Sequence, residues 1–378
     1  MKRTPLHAIH QKLGARMIEF GGWEMPVFYT SIADEHLATR NAAGIFDISH
    51  MGEIWAKGES VGDFLNLLLT NNINKLRPGL GQYTLLCQES GGVIDDLYVY
   101  QLAADEFLMV VNAARIEDDF AWMQKQWQAW PRRDSVKLTN ASDDFGAVAV
   151  QGPKVANFID SCVERGGIRP SELGKNEIAR AQFAGKDIYV SRTGYTGEDG
   201  FEMVAPAPAM ETLWNAITDA GRAHGLKPAG LGARDTLRTE VCYPLYGHEL
   251  DLETTPLEAG LGFFVALDKS EFLGRQILLA QKAAGPKRKL VAFKMQGRCA
   301  PPRPGYLIWT AGSAGPVGKV TSGTQSPTLS VGIGLGYVEQ NFATPNTAIE
   351  IEIRGQRAPA TIVARPIYKP TKAPTSKI

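Results

Sequence analysis

Two adjacent acids, Asp95 and Asp96, interrupt an otherwise apolar run at residues 93–100. Neighbouring residues of a strand point to opposite faces of its sheet, so one carboxylate can line a cavity while the other meets solvent or a backbone donor. A positioned carboxylate can accept a proton or stabilise a developing positive charge. The same pattern fits a bend whose acids cap loop amides, and both interpretations stay open at this point.

A second segment, from Arg192 to Glu202, has glycine at positions 194, 197 and 200. This spacing is typical of a tight loop between two strands. Neither a GxxxxGK[ST] motif nor a GxGxxG motif that opens a helix is present, so a phosphate-binding loop is excluded. The segment offers an aromatic face, Tyr195, and a carboxylate, Glu202, which together suit a pterin ring with paired N–H donors on one edge. A purely structural turn is the alternative.

A third segment, from Gly230 to Tyr243, is predicted to begin as a helix. Arg234 and Arg238 are four residues apart in it and share one helix face. An arginine here could anchor a substrate carboxylate or hold the acids of a site in place. The alternative is that one of the two simply pairs with Asp235 or another nearby acid.

Metal and serine-hydrolase chemistry have little support in the sequence. His50 and His248 have no second ligand at metal-like spacing, so hydrogen-bonded histidines are the favoured interpretation and no metal site is predicted. A GxSxG nucleophile elbow is also missing from the sequence.

The elements that carry these segments form a mixed pattern. Short strands are predicted at 83–87, 93–100 and 107–111, and a Ser-Gly-Gly turn at 90–92 joins the first two into an antiparallel hairpin that carries the acid pair. Helices are predicted at 31–41, 116–130, 153–165 and 207–224. Because the strands and helices alternate without a regular βαβ rhythm, the sequence predicts an α+β fold rather than a doubly wound sheet.

The composition changes at the linker Ala283–Lys289. Beyond it, short strands are separated by glycine- and proline-containing turns about every ten residues, a pattern typical of a small β-barrel or jelly roll. We therefore predict a C-terminal all-β domain over residues 283–378.

The bulk composition is that of a globular protein, with 44% hydrophobic and 21% charged residues in 378. Lys+Arg and Asp+Glu both number 40, which removes the bulk electrostatic argument for a nucleic-acid binder. The polar N-terminal segment does not resemble a secretory signal, and the apolar runs are too short to span a membrane. Four widely spaced cysteines suggest reduced thiols. We expect a cytoplasmic protein without nucleic-acid or membrane partners.

Several segments together resemble the glycine cleavage T-protein family, and the resemblance spans essentially the whole chain. It is carried by the number and order of these segments rather than by any one of them. The most informative are Gly22–Pro26, Phe46–Met51, Gly91–Asp96, Tyr195–Gly200, Gly232–Arg238 and Thr255–Glu258.

The resemblance implies a multi-domain cloverleaf around a central folate cavity. Residues 1–282 would hold two interleaved α+β subdomains, roughly 1–50 plus 140–282, and 51–139. The implied activity is that of an aminomethyltransferase, which moves the aminomethyl carbon from the lipoyl arm of the H-protein to tetrahydrofolate. The products are 5,10-methylenetetrahydrofolate, ammonia and the dihydrolipoyl H-protein. The P- and L-proteins of glycine cleavage would be functional partners.

Site residues follow from the resemblance position by position. Asp96 matches the family's essential carboxylate. Three further residues match positions that contact the pterin and the substrate: Tyr195, Glu202 and Arg234. Four match the wall of the cavity: Met51, Tyr83, Asn112 and Tyr243.

Two other functions are compatible with this fold. One is a folate-dependent demethylase; the acid pair together with the intact Tyr195–Gly200 segment favours glycine cleavage over it. The other is a non-catalytic folate-binding protein; relatives of that kind typically carry a short cysteine-containing signature that is not found here.

Overall fold

The computed structural model describes residues 1–164, 167–297 and 299–370. Its α-helices within these ranges are α1 (His7–Lys12), α2 (Ile32–Asn41), α3 (Val61–Leu68), α4 (Ile116–Ala129), α5 (Met210–Gly221), α6 (Leu231–Glu240) and α7 (Arg275–Ala284). The first strands are β1 (Arg16–Phe20), β2 (Trp23–Phe28), β3 (Ala43–Asp47), β4 (Gly52–Lys57), β5 (Leu80–Cys87), β6 (Val93–Ala103), β7 (Glu106–Val111), β8 (Lys137–Asn140) and β9 (Phe145–Gln151). The remaining strands are β10 (Ile178–Phe183), β11 (Lys186–Ser191), β12 (Gly200–Pro206), β13 (Leu226–Pro228), β14 (Arg288–Met295), β15 (Leu307–Trp309), β16 (Gly318–Gln325), β17 (Gly332–Glu339), β18 (Ala348–Ile353) and β19 (Gln356–Val363).

The strands assemble into three main bodies. A six-stranded sheet has the order β10-β11-β12-β9-β3-β13, and a five-stranded sheet has the order β5-β6-β7-β4-β8. The C-terminal strands close into a barrel in the order β14-β17-β16-β15-β18-β19. The predicted α+β class and C-terminal β-barrel are therefore confirmed.

The two open sheets interrupt each other along the chain. The six-stranded sheet takes β3 from before residue 50 and β9 to β13 from after residue 144, whereas the five strands between residues 52 and 140 form the five-stranded sheet. Strands β1 and β2 pair separately as a two-stranded sheet. On this basis we propose domains at roughly 1–50 plus 140–282, at 51–139 and at 283–378. Residues 371–378 of the last range lie outside the described part of the chain.

Helix α2, predicted at 31–41, begins after Ser31, which caps its N-terminus. The Ser31 hydroxyl accepts a 3.1 Å hydrogen bond from the Asp34 amide, and Asp34 and Glu35 occupy the first turn, where the helix dipole favours acids. Glu35 is fully buried and accepts a 2.9 Å hydrogen bond from the Gly230 amide, which precedes the first residue of α6. One acid of α2 thus fixes the start of α6.

The helix predicted at 153–165 is wrong. The structure has short 3-10 turns at Val155–Asn157 and Ile159–Cys162 instead, and Arg165 lies outside the described residues. The side chain of Ser161 donates to the Phe158 carbonyl at 2.7 Å, and the Asp160 carboxylate accepts from Ser171. Side chains that bond locally to the backbone compete with helical hydrogen bonding, and here they win.

Across the described ranges, every helix is too short or too polar to cross a membrane. The cytoplasmic location stays a prediction.

Candidate active site

The hairpin of β5 and β6 presents the acid pair. Its turn depends on Gly91, which has a φ of +86°, and on Gly92, where an added Cβ would lie 1.8 Å from the Leu252 carbonyl oxygen. Both positions therefore require glycine. The turn sets the register in which Asp96 lies opposite Leu85 and Asp95 lies opposite Leu86.

Asp96 is partly exposed and held by two donors. The Tyr83 hydroxyl donates to its Oδ2 at 2.8 Å, and Asn112 Nδ2 donates to its Oδ1 at 3.0 Å. Burial, and secondly the neighbouring charge of Asp95, raise the pKa of Asp96 to about 7. A carboxyl group with such a pKa can take up and release a proton near neutral pH.

Asp95 is fully buried, whereas Asp96 is partly exposed. It accepts hydrogen bonds from the backbone N of Asn112 at 2.9 Å and from Asn112 Nδ2 at 2.8 Å. Burial raises the pKa of Asp95, and these hydrogen bonds act in the opposite direction. One acid thus accepts from a backbone donor, as the sequence analysis allows, but the two carboxylates are not held apart, because Asn112 Nδ2 donates to both.

Tyr195 lies in the loop between β11 and β12, and its hydroxyl donates to the Pro244 carbonyl. The guanidinium of Arg234, on α6, lies over its ring at 4.6 Å from the centroid. The ring of Tyr243 lies 5.9 Å from that of Tyr195 and is tilted by 34°. These contacts form a cation–π pair beside a second aromatic ring.

Glu202, on β12, is linked through Thr193 to Tyr100 on β6, the strand that carries the acid pair. Its Oε2 accepts a 2.6 Å hydrogen bond from the Thr193 hydroxyl, which lies 3.0 Å from the Tyr100 hydroxyl. The ring centroids of Tyr100 and Tyr98 lie 5.0 Å apart, with the rings tilted by 30°. Both residues share a face of β6 with Asp96, because they follow it at steps of two residues. The five-stranded and six-stranded sheets therefore meet at this face.

Charge effects also place the two groups of residues in one region. Burial lowers the pKa of Arg234, and the charges of Tyr195 and Glu202 act against that change. Burial raises the pKa of Tyr83, as do the charges of Asp96 and Tyr195. Electrostatic interactions therefore link Arg234 with Glu202 and Tyr195, and link Tyr83 with Asp96 and Tyr195.

Met51 has a different environment from the other predicted site residues. It is partly buried and packs against the apolar cluster between the six-stranded sheet and α6, which includes Phe46, Ala233 and Leu237. This position is consistent with a wall residue near Arg234, but the other seven residues are joined by the polar, aromatic or charge contacts described above.

The prediction of a hydrogen-bonded histidine is confirmed for His248 but is wrong for His50 Nδ1, which is buried without a hydrogen-bond partner in the part of the chain that the structure describes. His50 is buried, and burial lowers its pKa to about 4, so the ring is neutral. His248 Nδ1 lies 3.1 Å from the Thr321 carbonyl. Among the described residues, His, Cys, Asp and Glu side chains form no group of three or more that could hold a metal ion.

The chain matches two family models that together cover most of its length. Residues 6–269 match the model described as GCVT N-terminal domain, and residues 288–369 match the one described as glycine cleavage T-protein C-terminal barrel domain. The chain belongs to the glycine cleavage T-protein family. The resemblance seen in the sequence is thereby confirmed.

Individual members of the T-protein family agree with this. The chain is 46% identical over 376 residues to the aminomethyltransferase of Geobacillus thermodenitrificans, covering 99% of this chain and 100% of that protein. It is 45% identical to the aminomethyltransferase of Anoxybacillus flavithermus, covering 98% and 100% of the two chains. A crystal structure of glycine cleavage system aminomethyltransferase T from Bartonella henselae has a TM-score of 0.90 at 31% identity, covering 98% of each chain. The predicted enzyme class, aminomethyltransferase of glycine cleavage, is confirmed.

Sequence reasoning missed how the T-protein helix α6 is held in place. It left open a pairing of Arg238 with Asp235, and the structure shows that pair, with bonds of 2.6 and 2.8 Å. Arg238 is also fully buried and donates to Glu249 at 2.9 Å and to Ser322 of the barrel at 2.7 Å. Glu249 in turn accepts from the Thr321 hydroxyl at 2.6 Å. The barrel thus supports the helix that carries Arg234.

A second network joins α2, α6 and the barrel. Glu240 is buried and accepts from Arg40 at 2.8 Å and from the Ser326 and Thr328 hydroxyls, while His36 lies 3.2 Å away. Although burial acts to raise it, the hydrogen bonds and charges of these partners lower the pKa of Glu240 to about 2. No spacing rule predicts contacts between residues 40, 240 and 326, because they depend on how three separate elements pack.

Proposed function

We propose that the site around Asp96 binds tetrahydrofolate and transfers to it the aminomethyl carbon carried on the lipoyl arm of the H-protein. The observation that supports this most is Asp96 itself: a partly exposed carboxyl group with two donors and a pKa near 7. In this proposal the P- and L-proteins of glycine cleavage supply the loaded lipoyl arm and reoxidise the released one.

The chemistry requires a group that handles protons beside a nitrogen nucleophile. The donor carries an S–CH2–NH2 unit, and loss of ammonia leaves an electrophilic carbon that two folate nitrogens attack in turn. The two N–H protons lost by the folate end on ammonia and on the lipoyl thiol, so atoms and charges balance. Asp96 orients the attacking nitrogen and stabilises its developing positive charge, and it accepts the released proton.

The pterin would lie between the two halves of the site. The proposed contacts are stacking beside Tyr195 and Tyr243, and paired hydrogen bonds from the amino-pyrimidine edge to the Glu202 carboxylate. Arg234 supplies a positive charge next to the Tyr195 ring. Holding two large carriers in line contributes to the rate as well, by up to roughly 7–11 kcal/mol in well-oriented reactions.

An Asp96→Asn variant tests this proposal. We expect its affinity for tetrahydrofolate to stay within a few-fold of the parent and its turnover to fall by roughly a hundredfold or more, because only a positioned acid–base group is lost. The assay is formation of methylenetetrahydrofolate from aminomethylated H-protein. Asp105→Asn, an exposed change in the turn between β6 and β7, is the matched control and should leave turnover unchanged.

Three other outcomes would contradict the proposed function. Unchanged turnover in Asp96→Asn would rule out the proposed role of this carboxylate. Activity of the parent chain only with a methylamine or sulfonium donor would indicate a demethylase. Folate binding without any transfer would indicate a non-catalytic binding protein.

A further inference from the structure

Asp119 is a buried acid that the proposed reaction does not use. It lies in the first turn of α4, it is fully buried, and neither of its carboxylate oxygens has an N–H or O–H donor in reach. Its side chain instead lies within hydrogen-bonding range of Asp95. Buried carboxylates normally have donors, so this arrangement requires an explanation.

A proton shared by the two acids explains both the lack of donors to Asp119 and its closeness to Asp95. Two charged carboxylates in contact inside a protein repel each other strongly, whereas a protonated carboxyl group can donate to a charged one. Burial, and secondly the charge of Asp95, raise the pKa of Asp119 to about 11. The nearby cation of Arg115 already donates to the Ile94 carbonyl at 3.1 Å and to Asp118 at 2.6 Å.

The proton belongs on Asp119 rather than on Asp95. Asp95 already accepts two hydrogen bonds from Asn112, which favour its charged form. Asp119 has no such donors. The pair therefore holds its proton on Asp119 and its negative charge on Asp95.

We propose that Asp119 is a positioning residue, whose protonated carboxyl group donates to Asp95 and so fixes the Asn112 amide that orients Asp96. The order of contacts is Asp119, Asp95, Asn112 and Asp96, and the first two are fully buried, away from any substrate. This inference rests on the function proposed above for Asp96. It explains why a second acid stands beside the reactive one.

The proposal distinguishes a neutral donor from a charge. An amide can replace a protonated carboxyl group as a donor to Asp95, but a methyl group cannot. In Asp119→Ala, Asp95 loses a donor that lowers its pKa. Asp95 then becomes more basic than in the parent chain and takes up the proton itself. Its charge then no longer raises the pKa of Asp96. The other titratable or charged side chains that interact with these three acids within the described ranges include Tyr83, Arg115, Asp118, Tyr195 and Tyr246.

The test compares Asp119→Asn and Asp119→Ala in the full-length chain. Turnover with aminomethylated H-protein is measured across pH, together with tetrahydrofolate affinity and urea stability. We expect the turnover of Asp119→Asn to stay within about threefold of the parent chain. The midpoint pH of its activity loss on acidification should be unchanged. Asp119→Ala should lose roughly tenfold or more in turnover, with folate affinity within a few-fold, and its acid limb should move to lower pH.

Infrared difference spectra keep the test decisive if the alanine variant does not fold. The parent chain minus Asp119→Asn should show the C=O stretch of a protonated carboxyl group at mildly alkaline pH. Its absence would overturn the inference. So would an Asp119→Ala variant that loses stability alone, with the turnover and pH profile of its folded fraction unchanged, or an Asp119→Asn variant as inactive as the alanine one.

Asp96→Asn belongs in the same series because it separates two kinds of failure. If Asp96→Asn is inactive while Asp119→Ala is normal, only the positioning role is lost. If Asp96→Asn is fully active, the proposed function of Asp96 fails, and the infrared band then reports on the Asp95–Asp119 pair alone.

Discussion

The guanidinium of Arg234 lies over the Tyr195 ring, 4.6 Å from its centroid. A planar guanidinium stacks on an aromatic face, whereas a lysine ammonium is a compact and strongly hydrated charge. We therefore expect Arg234→Lys to weaken tetrahydrofolate binding about tenfold while kcat changes less. Isothermal titration with the reduced folate, alongside steady-state kinetics, measures both quantities.

Arg222→Lys is the matched control for this prediction, because Arg222 is an exposed surface residue with 76% of its side chain accessible. Its affinity for the folate should equal that of the parent chain. Equal affinities for Arg234→Lys and the parent would show that the stacked arginine does not contribute to folate binding.

The pH dependence of the transfer step follows from Asp96. A carboxyl group must be deprotonated to accept a proton, and burial and the Asp95 charge raise its pKa to about 7. The rate should therefore fall as the pH decreases through about 7, rather than through the usual range of an exposed aspartate. Single-turnover measurements of methylenetetrahydrofolate formation isolate this step. An acid limb near pH 4 would contradict the assignment.

Tyr83→Phe should move that acid limb to higher pH. The Tyr83 hydroxyl donates to Asp96 Oδ2 at 2.8 Å, which favours the charged carboxylate and lowers the Asp96 pKa. Without this donor, we expect roughly tenfold lower turnover at neutral pH and recovery in more alkaline buffer. The same pH titration with Tyr306→Phe, in the barrel, gives the control profile. A limb that stays in place would show that Tyr83 does not act on Asp96.

The Arg238–Glu249 pair predicts a large effect on stability. Both side chains are buried, so neutralising Glu249 leaves the arginine charge without its principal buried partner. We expect Glu249→Gln to lower the free energy of unfolding by about 3 kcal/mol. Asp219→Asn, which breaks the exposed pair with Arg222, should change it by less than about 1 kcal/mol. Urea denaturation of both variants measures the difference, and equal values would contradict the argument.

Strand periodicity accounts for the part of the site that was predictable. Alternation along β6 buries Asp95 and leaves Asp96 partly exposed, and the same step of two places Tyr98 on the Asp96 face. Tyr98 is not among the residues predicted from the sequence. The loop that carries Tyr195 follows from its glycine spacing. These features are local, because a few neighbouring residues determine each of them.

The remaining features depend on packing between distant elements. Asp119 reaches Asp95 only because α4 and β6 share an apolar cluster that contains Ile116 and Ile94. In the sequence, Asp119 belongs to an ordinary acidic first turn of a helix. The turns at Val155–Cys162 were predicted as a helix because apolar residues recur there at helical spacing, and the local hydrogen bonds of Ser161 were not foreseen. Contacts of this kind require coordinates.

The C-terminal domain supplies Ser322 to Arg238 and Ser326 to Glu240, two buried groups on the helix that carries Arg234. A chain shortened to residue 284 would remove both hydroxyls and uncover the side of α6 that Arg238 and Glu240 occupy. The C-terminal domain therefore contributes to the structure of the region around α6. A chimera with a different C-terminal domain needs hydroxyl groups at the positions of Ser322 and Ser326. Without them, the geometry around Arg234 should be the first to change.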